Sequence, residues 1–309
     1  MNVLGKLVRV LDAFTHELTR PRVINSASDP QIGLALGGGF ARGLAHIGVI
    51  RVLQQENIPI SFVAGTSVGA VVGAGLCCGL SADELEAIAL RVRFKHFARW
   101  TISRFGFASN DRMTGFLRRT LKWMTFEELR IPLAVTATDF VTGDAVVFTS
   151  GDVIDPVRAS CAYPGMFLPV NIKGRLLVDG MLSNAVPTLP LREMGARRVI
   201  AVHLNGDSMN LNGPRHIFDV IGQCFSIAQQ RMSSVWKSEA DVVMNPDVRG
   251  FSYDSFDRCV ELIAAGETAA RLAMPTIRGW LNETPAITLG PKATVTTAPR
   301  AASAPATGL

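Results

Sequence analysis

The feature that most constrains the fold is a glycine-flanked serine, Ser67, in the segment Gly65-Thr66-Ser67-Val68-Gly69. A β-prone run, Ile60 to Val63, precedes the segment, and an apolar run from Val68 to Leu76 follows it. We interpret this order as strand, sharp turn and helix, the arrangement of a nucleophile elbow. Glycines at both ends let the backbone hold the serine in a strained conformation with its hydroxyl exposed. Ser67 is therefore a candidate nucleophile.

A second glycine-rich segment lies about thirty residues upstream, where Gly37, Gly38 and Gly39 follow the β-prone run Ile32 to Leu36. A serine that cleaves an ester needs backbone N–H groups close by to hold the developing oxyanion. Glycines suit this task because no side chain obstructs the approach. Arg42 then has two interpretations: it organises the loop by bonding local carbonyls, or it stabilises the oxyanion or a lipid phosphate.

Two residues compete for the role of general base. His203 lies near the carboxyl end of a predicted strand, and the order Ser67, Asp179, His203 is that of an α/β-hydrolase triad. Asp179 itself ends a predicted strand, and Gly180 after it gives the carboxylate room to face a pocket. The residues alone leave both interpretations open.

Strands alternate with helices along the rest of the chain, which predicts an α/β fold with a mostly parallel central sheet covered by helices. Further strands are expected at 133–138, 145–148, 198–203 and 241–244, with a hairpin over 170–178 that turns at Lys173-Gly174. Helices are expected at 81–90, 155–161, 217–237 and 257–281. Ser81 and Glu84 have the spacing of a capping box at the start of the first of these helices.

The chain is expected to form one domain over residues 31–283 with different segments on either side. Residues 1–30 carry a helical apolar stripe and a linker, and we favour a helix docked on the domain over an interfacial membrane anchor. Residues 284–309 are rich in Ala, Pro and Thr, which predicts a disordered tail. The uncharged run Ile58 to Leu80 is long enough to span a membrane, but its glycines and turn favour a buried strand and helix.

Composition bounds the partners and the compartment. The five cysteines show no metal-ligand or disulfide spacing, so we expect them to be small core residues and expect no bound metal. Their odd number in a long chain fits a reducing, cytoplasmic compartment. We expect no cofactor. The net charge of +5 suggests an anionic partner. A charge this small does not indicate which partner that is. For the basic stretch described next we expect no nucleic acid, because no nucleic-acid recognition signature accompanies its charge.

The most biased stretch runs from Arg91 to Lys122, with nine cations, several phenylalanines and a tryptophan against a single acid, Asp111. One interpretation is a solvated helical face whose aromatic rings point into the core. The other is a cap over the active site that meets an anionic membrane, since aromatic rings suit the interface and cations suit lipid head groups. The second interpretation places the protein peripherally on the inner membrane face.

Three segments taken together resemble the patatin-like phospholipase family, whose motifs are G-x-G-x-x-[K/R]-G, G-x-S-x-G and D-G-[A/G]. They are Gly37 to Gly43, Gly65 to Gly69 and Asp179-Gly180, in this order. The resemblance covers roughly Gln31 to Leu204. It implies a three-layer sandwich with a nucleophile elbow and a lipid acyl hydrolase that acts on phospholipids or lysophospholipids.

The resemblance also implies roles for residues. Ser67 and Asp179 would form a catalytic dyad without a histidine, which demotes His203 and makes His46 a packed or hydrogen-bonded residue. The oxyanion hole would comprise Gly37, Gly38, Gly39 and Arg42, and the motif would be supported by Gly43, Gly65, Gly69 and Gly180. Met181 departs from the family pattern, which has a small residue there, and could narrow the pocket or displace Asp179.

Two other classes of function stay open. A catalytically weak or silent, membrane-associated regulatory protein could share the fold, because fold does not determine function. A nucleotide-binding or phosphate-binding module could use the glycine loop at a helix N-terminus, although the loop lacks the Lys-Ser ending of a P-loop.

Overall fold

The structure is a computed structural model that describes residues 30–103, 106–121, 125–204, 217–252 and 254–282. The helix expected within residues 1–30 and the tail expected from residue 284 lie outside these residues.

The described residues form strands and helices that alternate along part of the chain. The strands are β1 Ile32–Leu36, β2 Ile60–Thr66, β3 Arg99–Ser103, β4 Gly106–Ser109, β5 Leu133–Asp139, β6 Ala145–Phe148, β7 Gly165–Phe167, β8 Val170–Ile172, β9 Arg175–Asp179, β10 Arg198–Val202 and β11 Val242–Met244. The α-helices are α1 Ala45–Gln55, α2 Val68–Cys77, α3 Ala82–Ala89, α4 Asp111–Thr120, α5 Ile154–Ser160, α6 Thr188–Glu193, α7 Ile217–Ser238 and α8 Cys259–Leu281. Short 3₁₀ turns include Phe40–Leu44 and Gly180–Leu182.

The central sheet has the strand order β11-β10-β1-β2-β5-β9-β8, with β6 also paired to β5. The pairs from β11 to β5 are parallel, whereas β9 and β8 continue the sheet in antiparallel pairings. The expected mostly parallel sheet is therefore confirmed. The carboxyl ends of β1 and β2 lie side by side, with Leu36 opposite Gly65. This register places the glycine loop beside the elbow.

Helices cover both faces of the central sheet, and the side chains of β1 point alternately into the apolar cores on the two faces. Leu34 and Leu36 point into one apolar core, which they share with residues of α1, α2, α3 and α8. Ala35, between them, points into a second core with Leu191 of α6 and Trp236 of α7. Successive strand residues face opposite sides, so β1 is buried on both faces. The molecule is the three-layer sandwich that was expected.

Helices α1 and α8 pack unusually closely, through a glycine on each helix. A Cβ atom at Gly48 would overlap the carbonyl oxygen of Ile263, and one at Gly266 would overlap the carbonyl oxygen of Ala45. Only glycine allows the two backbones to approach this far. The contact fixes α8 against the helix that follows the glycine loop.

The basic stretch from Arg91 to Lys122 is not a single helical face. It forms the hairpin of β3 and β4, which joins β7 in a separate three-stranded sheet, and then α4. Its aromatic residues divide: Phe97 packs against Phe256 with ring centroids 5.9 Å apart, while Trp100 and Phe107 are 69% and 54% exposed. Neither the hairpin nor β7 was anticipated from the sequence.

Several local predictions are confirmed. The capping box exists, because the Ser81 hydroxyl accepts from the Glu84 N–H and the Glu84 carboxylate accepts from the Ser81 N–H. Lys173 and Gly174 turn the β8–β9 hairpin with φ of 50° and 82°. None of the described helices combines the length and apolarity needed to cross a bilayer. The cysteines are buried as expected except Cys224, which is exposed on α7.

Candidate active site

Ser67 lies between β2 and α2 in a conformation that few side-chain-bearing residues adopt. Its φ is 56° and its ψ is −125°, and it is 6% exposed. Surrounding contacts must hold such a backbone in place. The Ser67 N–H donates to the hydroxyl oxygen of Ser160 at 2.7 Å, and that hydroxyl donates to the carbonyl of Thr136 at 2.6 Å. Ser160 therefore ties the elbow to β5, a role that its sequence context did not reveal.

The glycines around the elbow are required by close backbone contacts. A Cβ atom at Gly65 would lie 2.5 Å from the Cα of Ala70, and one at Gly69 would overlap the carbonyl oxygen of Leu36. The G-x-S-x-G spacing thus lets the first turn of α2 pack directly on the ends of β1 and β2.

Asp179 is the hydrogen-bond partner of the Ser67 hydroxyl. The Ser67 Oγ donates to Asp179 Oδ2 at 2.7 Å, and the Met181 N–H donates to Asp179 Oδ1 at 2.9 Å. Asp179 comes from the end of β9 and is 1% exposed. Gly180 permits this placement because a Cβ atom there would overlap the carbonyl oxygen of Thr136. The structure brings the two predicted dyad residues together although they are 112 positions apart.

Burial raises the pKa of Asp179 to about 7, because a charged carboxylate loses its hydration inside the protein. The hydrogen bonds from the Met181 N–H and the Ser67 hydroxyl favour the charged form and lower the pKa in part. A carboxyl group with a pKa near neutrality can both accept and return a proton at physiological pH. This property suits a general base.

The three glycines of the loop differ in what their N–H groups do. The Gly37 N–H donates to the carbonyl of Val202 at 3.1 Å, and the Gly38 N–H donates to the carbonyl of Ala185 at 3.2 Å. The Gly39 N–H makes no hydrogen bond within the described part of the chain. Gly38 lies beside the nucleophile, since a Cβ atom on it would be 3.3 Å from the Cβ of Ser67. Among the three loop glycines, Gly39 is therefore the one whose N–H has no partner in these described contacts.

Arg42 lies in the 3₁₀ turn after the loop and is largely buried. Burial lowers the pKa of its guanidinium, while the neighbouring Tyr163 acts in the opposite direction. The buried Nε atom has no hydrogen-bond partner among the described residues. We therefore find no bond from Arg42 to the loop carbonyls in this part of the chain. Gly43, next in the motif, makes room for the side chain of Val68, which any Cβ atom there would overlap.

Met181 does not displace Asp179 from Ser67, one of the two effects that a bulky residue at this position could have. Its side chain instead lies on Gly38, where it would overlap an added Cβ atom. A methionine at this position therefore fills space next to the nucleophile on the side of the loop.

His203 and His46 contact residues other than Ser67 and Asp179 in the described part of the chain. The Nδ1 atom of His203 lies 3.3 Å from Asn245 Oδ1, and its ring packs against Trp236 with centroids 4.8 Å apart. His46 is fully buried and its Nε2 atom lies 2.8 Å from the carbonyl oxygen of Gly37. The expectation that His46 is a packed, hydrogen-bonded residue is confirmed.

An apolar pocket of about 140 Å³ opens onto Ser67. Near the nucleophile it is lined by Phe40, Val68 and Val71, and farther away by side chains of α3 and α4 such as Ala89 and Phe116. The lining is almost entirely hydrocarbon. Such a surface suits an acyl chain, because burying CH₂ groups away from water is favourable.

Comparison with known proteins places the chain in a family. The family described as patatin-like phospholipase matches residues 34–192. This match covers all three motifs, and the chain belongs to the patatin-like phospholipase family.

Two relatives match this chain over only part of their own length. An uncharacterised NTE family protein of Mycobacterium tuberculosis is 37% identical over 186 residues, which cover 59% of this chain and 51% of the relative. The lysophospholipase NTE1 of Mycosarcoma maydis is 34% identical over 230 residues, which cover 71% of this chain and 12% of the relative. The chain thus spans about half the length of the first relative and a small part of the second. The crystal structure of VipD from Legionella pneumophila aligns with a TM-score of 0.45 at 13% identity, covering 81% of this chain and 68% of that chain.

Proposed function

We propose that the protein is a lipid acyl hydrolase that cleaves carboxylic esters of phospholipids or lysophospholipids with a Ser67–Asp179 dyad. The observation that carries the proposal is the 2.7 Å hydrogen bond from the Ser67 hydroxyl to Asp179 at the mouth of an apolar pocket. The family match and the name of the lysophospholipase relative support a lipid substrate. A general base and a nucleophile in direct contact are the minimum that ester hydrolysis requires.

The reaction follows from the dyad geometry. Asp179 accepts the hydroxyl proton as the Ser67 oxygen bonds to the ester carbonyl carbon, and the carbonyl oxygen becomes an oxyanion. When the intermediate collapses, the bond to the alcohol breaks and Asp179 returns the proton to the leaving oxygen. Water then attacks the acyl-enzyme, again giving its proton to Asp179, and the fatty acid leaves as Ser67 regains its proton.

We assign the oxyanion contacts within the loop by their available donors. Gly39 supplies an N–H, while Gly37 and Gly38 use theirs to anchor the loop to Val202 and Ala185. The buried guanidinium of Arg42 supplies positive charge that can stabilise the oxyanion or a lipid phosphate. Because the Gly37 and Gly38 N–H groups are already bonded, the loop offers less support for the phosphate-binding alternative.

The assignment is tested by reacting the purified protein with a fluorophosphonate probe and with a panel of p-nitrophenyl esters, phospholipids and lysophospholipids. We expect labelling and hydrolysis by the wild type and neither by Ser67→Ala. Ser61→Ala is a matched control, because Ser61 is likewise a buried serine but lies near the start of β2, whereas Ser67 follows its end. Probe labelling that survives in Ser67→Ala would contradict the nucleophile. Labelling at Ser67 without turnover of any ester would favour the silent regulatory alternative.

The basic stretch from Arg91 to Lys122 leads to a second part of the proposal, which is that the protein binds a membrane surface. Its inward side chains, among them Phe97, Met113 and Phe116, form one wall of the pocket. Its outer surface carries exposed cations together with the exposed rings of Trp100 and Phe107. We propose that this surface docks on anionic lipid, with the rings at the interface and the cations near head groups. A lipid entering the pocket would then come directly from the bilayer.

Charge reversal separates docking from chemistry. The test variant reverses three exposed cations of the stretch to glutamate, Arg91, Lys95 and Arg118. The control variant reverses three exposed cations elsewhere, Lys173, Arg197 and Arg271. At about 1 kcal/mol for each cation, the test variant should bind anionic vesicles about a hundredfold more weakly at low salt. It should lose activity on vesicles and keep it on soluble esters. Equal loss on both substrates, or equal loss in the control, would contradict membrane docking.

A further inference from the structure

The side chain of His46 is the feature of the site that the proposed reaction does not use. It lies in the first turn of α1, it is fully buried, and its Nε2 atom is 2.8 Å from the carbonyl oxygen of Gly37. Burial lowers the pKa of the ring to about 4, so the imidazole is neutral at physiological pH. A neutral ring beside a carbonyl must carry its proton on the nitrogen that faces the oxygen. His46 therefore donates a hydrogen bond to Gly37.

The other ring nitrogen shows that packing alone does not explain this histidine. The Nδ1 atom is buried and has no hydrogen-bond partner in the described residues. An unsatisfied buried nitrogen destabilises a folded protein, whereas an aliphatic side chain would fill the space without that penalty. The donor function of Nε2 is what distinguishes histidine from leucine here.

The bond from His46 fixes the plane of one peptide group. The carbonyl of the Gly37–Gly38 peptide accepts from His46, and the N–H of the same peptide donates to Ala185. A peptide group is planar, so two partners on opposite sides hold its orientation. This peptide ends in Gly38, which lies beside the Cβ of Ser67. The next peptide carries the Gly39 N–H, which has no hydrogen-bond partner in the described residues.

Glycines adopt many backbone conformations, so a loop of three needs external anchors to hold one of them. Of the anchors on Gly37 and Gly38, two are main-chain carbonyls, from Val202 and Ala185, and the third is the His46 ring. The carbonyl oxygen of Gly37 also approaches the turn after the nucleophile, at 2.8 Å from the position of a Cβ atom on Gly69. The His46 bond thus lies where the loop and the elbow meet.

We propose that His46 is a positioning residue that sets the oxyanion-binding conformation of the glycine loop. This inference rests on the proposed acyl hydrolase function. It assigns His46 no contact with the substrate and no proton transfer. Its effect is to keep the Gly39 N–H aimed at the oxyanion of the transition state. Small misplacements of such groups slow catalysis strongly.

Two amide substitutions test the bond, because glutamine and asparagine place a donor at different reaches. In His46→Gln the side-chain nitrogen reaches about as far as Nε2, so it can still donate to Gly37. In His46→Asn the nitrogen lies near the position of Nδ1 and cannot reach that carbonyl. His46→Leu removes the donor and fills the space. We expect kcat to fall about 10- to 100-fold in the Asn and Leu variants, with KM nearly unchanged and substantial recovery in the Gln variant.

An oxyanion-forming inhibitor separates positioning from general destabilisation. A trifluoromethyl ketone forms a tetrahedral adduct with the serine, so its affinity should fall in parallel with kcat in the Asn and Leu variants. Thermal melts establish that the variants compared are folded. Folded Asn and Leu variants with wild-type kcat would overturn the inference, and so would a loss of kcat without a loss of inhibitor affinity.

If the Asn and Leu variants do not fold, the role of His46 can be tested on the wild-type protein by NMR. In ¹⁵N-labelled protein, inhibitor binding should shift the Gly39 amide and the His46 Nε2 resonance together. An unchanged His46 resonance would overturn the inference. A wild type that cleaves no ester would instead contradict the proposed function, so the two failures are distinguishable.

Discussion

Replacing Asp179 with asparagine should remove activity and make the protein more stable. The variant loses the carboxylate that accepts the Ser67 proton. It can keep both hydrogen bonds, since the amide oxygen accepts from the Met181 N–H and the amide nitrogen donates to the Ser67 oxygen. What disappears is the free-energy cost of holding a charge at a site that is 1% exposed.

The size of the effect follows from the pKa of Asp179. Burial raises it from 3.8 to about 7, a difference of about three units, and each unit corresponds to about 1.36 kcal/mol. Below pH 4 the carboxyl is protonated in both the folded and the unfolded chain, so it carries no penalty. Between pH 4 and 7 the unfolded chain ionises while the folded chain does not, so wild-type stability falls as pH rises. Above pH 7 the penalty is constant at about 4 kcal/mol.

The assay is thermal unfolding of wild type and Asp179→Asn from pH 5 to pH 8. The stability advantage of the variant should grow by about 2–3 kcal/mol over this range, because the wild-type penalty is about 1–2 kcal/mol at pH 5 and about 4 kcal/mol at pH 8. In a domain of this size that corresponds to a Tm difference that widens by roughly 5–10 °C. Asp144→Asn, in the exposed turn before β6, is the matched control and should show no comparable trend. A stability difference that does not change with pH would refute the assignment of a raised pKa to Asp179.

Three further predictions concern the base, the elbow and the pocket. The value of kcat/KM should rise with pH and level off above about 7, because only ionised Asp179 accepts the proton; a profile that is flat between pH 5.5 and 8 would contradict this. Ser160→Ala should destabilise the protein by about 1–3 kcal/mol and lower kcat, because it leaves the buried Ser67 N–H without a partner; an unchanged Tm would show that the elbow does not depend on this bond. Ala89→Phe should shorten the pocket and reduce turnover of long-chain p-nitrophenyl esters at least about tenfold while sparing short ones; equal effects on both would argue against an acyl pocket there.

The parts of the fold that the sequence predicted well are those set by local patterns. The capping box at Ser81, the turn at Lys173 and the buried apolar strands depend on neighbouring residues, and each occurs where expected. The β3–β4 hairpin was missed because its described aromatic residues, Trp100 and Phe107, are exposed instead of marking a buried face. Such a pattern follows neither helical nor strand periodicity clearly.

In the candidate site, too, the sequence predicted what depends on local patterns and missed what depends on contacts between distant residues. The motif around Ser67 indicated the nucleophile, whereas the choice of Asp179 over His203 as the base came from the family resemblance. The structure places Ser67 and Asp179 in contact. The contacts of Ser160 with Ser67 and of Ala185 with Gly38 join residues far apart in the chain, for which a single sequence carries no signal. His46 lies close to Gly37 in the chain and was expected to be packed or hydrogen-bonded, but its particular partner was not predicted. Which loop N–H groups are already bonded is likewise a property of the assembled sheet.

The close glycine contact between α1 and α8 has a consequence for where this domain ends. The segment that the family match recognises, 34–192, contains every motif but neither β10 nor α8. Without β10, β1 would become an unpaired sheet edge in what is now the interior of the sheet, and such edges promote aggregation. Without α8, α1 would expose the face that Gly48 brings against Ile263. The segment that the family match recognises is therefore shorter than the segment whose contacts complete the sheet and its helical cover. A chain cut at residues 34 and 192 would keep every motif but lose β10, which pairs with β1, and α8, which packs against α1.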